Sequence, residues 1–131
     1  MKRKTPLPRS TKRLTRSPVK RVNAARKARE FARTYGSKER VAFVKSLPCA
    51  ICSVIGYSEN AHVHGKSGLG RKGDYITILP LCRPNNVSPS GCHRLYDTGQ
   101  FMGDTDYWMA KADRTEEAWQ SYLRIREVRD A

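Results

Sequence analysis

The sequence predicts an α+β fold built from a short strand, a loop, a second strand and a short helix, with further helices flanking that unit. Three observations carry the prediction. Ala61-His62-Val63-His64 alternates as a strand does. Tyr75-Ile76-Thr77-Ile78-Leu79 is β-branched and apolar. Cys92-His93-Arg94-Leu95-Tyr96-Asp97 then places His93 and Asp97 four residues apart, the helical spacing that turns two side chains to one side.

With 131 residues and 38% hydrophobic content, the chain suits one small domain whose modest core needs a staple. Its 26 Lys and Arg against 12 Asp and Glu give a formal charge of +14, which makes a polyanion the expected partner. The excess is uneven: residues 1–30 carry +11 and residues 31–131 only +3. Within residues 1–22, Pro6, Pro8 and Pro18 among basic and Ser/Thr residues oppose a stable helix. We therefore expect a basic arm over residues 1–36, disordered or partly helical, with Lys12, Arg13, Lys20 and Arg21 among its nucleic-acid-binding residues. A domain over residues 37–131 follows. A solvated tail that merely aids solubility is the plainer account of the same charge.

No apolar run of about 18 residues spans a membrane, and no apolar segment of roughly 7 to 15 residues follows the basic start as in a secretory signal. The expected compartment is the cytosol. In that reducing setting, four cysteines are better metal ligands than disulfide partners.

From Asn23 the composition turns helical, with Ala24, Ala25, Ala28, Phe31 and Ala32 among Arg and Lys until Gly36 ends the segment. Ser37 is a candidate N-cap for a second helix bearing Val41, Val44 and Leu47 on one side, closed by Pro48. Cys49-Ala50-Ile51-Cys52 follows, a spacing at which two thiolates bind one tetrahedral zinc. Cys82 and Cys92 complete a four-thiolate structural set. The turn-rich segment 83–91 between them reads as a loop inserted into a zinc knuckle.

The alternation of residues 61–64 predicts both His62 and His64 on one strand face. Gly65, Gly68, Gly70 and Gly73, interleaved with Lys66, Arg71 and Lys72, predict a basic loop, either a plain hairpin connection or a phosphate contact. Beyond Asp97, Thr98-Gly99 ends the short helix and residues 101–108 read as a connector. A last helix is expected after Thr115, with Glu116 and Glu117 in its first turn and Trp119, Tyr122, Leu123 and Arg126 along one face. The aromatic stripe is a core feature by its helical spacing.

Strand, loop, strand and helix, with histidine on the first strand and on the helix, is the layout of the ββα-metal finger, and the chain resembles the HNH, or His-Me finger, endonucleases. Ala61-His62, the loop from Gly68 to Asp74, Pro80-Leu81-Cys82 and Cys92-His93 with Asp97 look most like phage proteins related to Ref, the RecA-dependent nuclease. The likeness covers about residues 40–100. It implies a metal-dependent DNA endonuclease of phage or bacterial host cells, acting in recombination and with a RecA-type recombinase filament as a partner. It also implies a general base on the first strand, His62 or else His64, and a catalytic divalent ion, Mg2+ or Mn2+ with Zn2+ as the alternative, held by His93 and Asp97. Asp74 is a further ligand or a loop anchor. Arg71, Lys72 and Arg94 would hold flanking phosphates.

An imidazole can take a proton from water near neutral pH, and a divalent ion can stabilise the charge that develops on the phosphate. The competing expectation is a zinc-knuckle DNA-binding protein whose hydrolytic centre is degenerate. Phosphate electrostatics alone do not separate DNA from RNA.

Overall fold

The computed structural model describes residues 23–65 and 73–131. Lys12, Arg13, Lys20, Arg21, Arg71 and Lys72, with the expected disorder of the arm and the body of the glycine loop, lie outside the described residues. Described are helices α1 (Ala24–Tyr35) and α2 (Lys38–Ser46), strand β1 (Ser58–His62), a 3-10 turn at Tyr75–Thr77, strand β2 (Ile78–Cys82), and helices α3 (Cys92–Asp97) and α4 (Thr105–Asp130). No helix among them is long and apolar enough to cross a membrane.

Local chemistry sets the helix limits. Asn23 Oδ1 accepts from the backbone N–H groups of Ala25 and Arg26, and Gly36, at a positive φ of 82°, closes α1 by donating to Ala32 O. Ser37 Oγ accepts from Arg40 N and starts α2. Thr34, near the end of α1, is buried, so this helix is attached to the body at its last turn.

Strands β1 and β2 pair antiparallel, Ser58 opposite Cys82 and His62 opposite Ile78. The two faces of β1 serve different neighbours. Ser58 Oγ donates to Leu47 O, Asn60 Nδ2 to Val41 O and His62 Nε2 to Thr34 O, so the even positions tie the strand to the α1–α2 side. Ala61, on the other face, joins Val63, Leu79, Leu81, Tyr96, Trp108 and Ala112 in the core.

Helix α4 lies across β2 and the 3-10 turn. Arg40, only 1% exposed, braces this layer from α2: its guanidinium donates to Glu116 Oε2 at 2.7 Å and sits 5.2 Å from the Tyr75 ring centre. A buried charge is tolerated when paired in this way. Trp119 is buried beside Phe43, and Arg126 pairs with Glu39, so the expected aromatic face of α4 does pack against α2.

Besides the first strand, which runs Ser58–His62, two boundaries differ from expectation. The second strand does not begin at Tyr75: Thr77 donates to Asp74 O through both its backbone N–H and its hydroxyl, coiling residues 75–77 into a 3-10 turn that leaves Tyr75 and Ile76 exposed. The last helix starts at Thr105 instead of after Thr115, because Asp104 Oδ1 caps the N–H of Tyr107. Glu116 is therefore no first-turn residue, and is held by Arg40 instead.

Candidate metal centre and imidazole cluster

The four cysteines converge. Their sulfurs all lie within 4.8 Å of one another, and Cys52 Sγ is 3.6 Å from Cys82 Sγ. Thiolates about 2.3 Å from one tetrahedral zinc are separated by about 3.8 Å, so the set fits that ion. Three segments deliver it: the turn at 49–52, where Ser53 N donates to Cys49 O and Ala50 N to Pro80 O, the end of β2, and the start of α3.

The nine residues between Cys82 and Cys92 do not disturb the cluster, since they form a closed loop of their own. Asn85 Oδ1 accepts from Val87 N and Ser88 N, Asn85 N donates to Ser88 O, and Gly91 N donates to Ser88 O. Gly91 is required by contact: a Cβ there would meet Pro84 N at 2.7 Å, at a φ of 76°.

Burial pushes the Cys92 and Cys52 thiols up. Burial raises Cys82 too, but the backbone N–H of Cys92, 3.4 Å from its sulfur, and contacts with Cys92, Asn85 and Cys52 outweigh it and bring the thiol down to about 7. A backbone N–H aimed at a sulfur favours its thiolate form.

A second cluster begins one residue further along α3. His93 Nδ1 donates to Glu59 Oε2 at 2.8 Å, and its Nε2 faces Asp97 Oδ2 at 3.5 Å. Asp97 Oδ1 accepts from His64 Nε2 at 3.0 Å. Glu59, His93, Asp97 and His64 thus form one chain of alternating carboxylate and imidazole. It is half open to solvent, with His93 27% and His64 55% exposed.

Tyr96 holds His64 in two ways: its hydroxyl accepts the His64 backbone N–H at 2.8 Å, and its ring stacks at 4.4 Å between centroids. Burial pushes the Tyr96 phenol up, so it remains a neutral support.

The structure does not bring His62 into this chain. The expectation that His62 and His64 share a strand face fails because β1 ends at His62. A turn at His64-Gly65, with Gly65 at a φ of 84°, swings His64 toward α3. His62 faces the other way, bonded to Thr34 O at 2.9 Å with its ring edge against Tyr35. Asp74 is also elsewhere, 3.1 Å from Arg33 of α1. Arg94 is exposed on α3.

Sequence reasoning missed Glu59. Its signal was parity: it occupies the same alternation as buried Ala61 and Val63, and a carboxylate on a core-facing position needs a partner.

No family model, curated protein or solved structure matches this chain. The chain stands as an α+β domain with a two-stranded antiparallel sheet and four clustered cysteines able to hold a metal ion.

Proposed function

We propose that the protein is an HNH-type, metal-dependent endonuclease that hydrolyses phosphodiester bonds in DNA, with the four thiolates holding a structural zinc. One observation carries the reading. His93 lies between two carboxylates, its Nδ1 2.8 Å from Glu59 Oε2 and its Nε2 3.5 Å from Asp97 Oδ2, so the ring is backed by one carboxylate and turned toward another. A carboxylate behind a histidine is the arrangement that orients imidazole toward a cation.

In this reading His93 and Asp97 hold the divalent ion, which supplies charge stabilisation to the phosphate when bound. His64 is the general base instead of His62. Its Nε2–H is given to Asp97, which leaves Nδ1 to take a proton from water beside His93, whereas His62 donates Nε2–H to Thr34 O of α1, on the face turned away from Asp97 and His93. Asp74, tied to Arg33, serves as a loop anchor, and exposed Arg94 is placed to contact a neighbouring phosphate. The +11 of residues 1–30 supplies sequence-independent affinity.

A specific observation favours a second reading, a non-catalytic zinc-knuckle DNA-binding protein. Among the described residues the four cysteines are the only group of three or more His, Cys, Asp or Glu close enough to share an ion. Cleavage of single- and double-stranded DNA with added Mg2+ or Mn2+, with and without a recombinase filament, separates the two. Wild type should cut and His93→Ala should not; equal cutting by both would remove the nuclease assignment.

A further inference from the structure

Beside the imidazole cluster is a cavity of about 200 Å³ lined by His64, Tyr96, Phe101, Asp104, Thr105 and Trp108, with Gly99 and Gly103 completing its wall. It is smaller than the roughly 300 Å³ at which sites for drug-sized ligands begin, and its lining is largely aromatic. We propose that it receives an unpaired nucleobase of the bound strand, next to the phosphate presented to His64; this rests on the nucleic-acid reading above.

The chemistry of the walls selects the occupant. Trp108 is 5% exposed, and among the described residues no protein group accepts from its indole Nε1–H, an atom that is not itself sealed from solvent. That nitrogen lies against Gly103, where a Cβ would come within 3.0 Å of it and within 2.6 Å of Tyr107 Cδ1. The glycine keeps the indole edge open.

Asp104 adds an acceptor. One carboxylate oxygen caps Tyr107 N, and the exposed side chain borders the same cavity. A phosphate would be repelled by Asp104, and an aliphatic group would leave the indole N–H unmade. A base edge offers both an acceptor and a donor, and its flat face can lie on Phe101 or His64, the two lining rings that are not buried.

The test uses the full-length, zinc-loaded protein and two labelled single-stranded oligonucleotides of equal length, one normal and one abasic at its three central positions. Wild type should bind the normal strand roughly tenfold more tightly, the effect of losing base stacking on an aromatic wall. Phe101→Leu, which keeps apolar volume without a π face, should bind both strands alike, and Phe101→Tyr should restore the preference. Zinc content and melting temperature of each variant confirm folding.

Equal binding of the two strands by wild type, or a full preference retained by Phe101→Leu, overturns the proposal. Base-dependent binding with no cleavage under any divalent ion would leave the cavity assigned and remove the nuclease reading. Cleavage without base dependence would do the reverse.

Discussion

The sulfur cluster and the imidazole cluster share α3, through Cys92 and His93, yet they are built on opposite terms. Three of the four cysteines are buried, and their neighbours are one another. The histidines are part-exposed and meet through Asp97 of α3, with Glu59 of β1 on the far side of His93. Successive helical residues point about 100° apart, so one short helix can feed a closed centre on one side and an open one on the other. On the proposed reading, the closed thiolate set serves folding and the open set with carboxylate support serves reaction.

Stripping the metal is the severest way to break this comparison. A strong chelator, or Cys82→Ser, should abolish the cooperative melting transition, because the binding energy of a structural zinc is folding energy. A protein with an unchanged transition after complete metal removal would contradict it. Acid should act in the same direction. Burial favours the protonated thiols of Cys52 and Cys92, and protons compete with zinc for those sulfurs, so measured zinc affinity should fall as pH falls.

Next in size, His93→Ala and His64→Ala should each lower DNA cleavage by roughly 10²- to 10⁴-fold while zinc content and melting temperature stay close to wild type. His62→Ala sharpens the contrast: it should loosen the α1 contact and shift stability more than the chemical step. Were His62→Ala the most damaging of the three in single-turnover cleavage, the assignment of His64 as base would be wrong.

Glu59→Gln should cost less, about 10- to 100-fold in activity or in affinity for the catalytic ion, since it acts through His93. Titration of divalent-ion dependence would register it as a weaker apparent affinity. The smallest effect on chemistry belongs to the arm. Deleting residues 1–22, with nine Lys and Arg and no acid, should flatten the dependence of log affinity on log salt and leave the cleavage step of bound DNA intact. An unchanged slope would show that the charge lies elsewhere in the interface.

What could be read from the sequence was mostly local. Asn23, Gly36 and Ser37 announce their helix ends because a cap bonds within three residues or demands a particular φ. The cysteines could be grouped because the thiol chemistry of the expected compartment leaves few alternatives. What escaped was long-range or rested on one turn. Glu116 resembled a helix start, yet it answers Arg40 from 76 positions away. Glu59 finds His93 across 34 positions, and no local pattern encodes that pairing. His64 leaves the parity of its strand because the chain turns at Gly65, so strict alternation assigned it to the wrong side.

The loop over residues 83–91 closes on itself where Gly91 meets the main chain at Arg83 and Pro84, and Val87 at its tip is 62% exposed. Its ends cross at Gly91 and its tip is tied by Asn85 to Val87 and Ser88 through main-chain groups, so the tip accepts a change of side chain better than an insertion. A fluorophore-bearing side chain substituted at Val87 would extend into solvent while the Asn85–Ser88 turn and the crossing at Gly91 stay intact, a handle on the folded protein that leaves the loop's contacts with Cys82 and Cys92 in place.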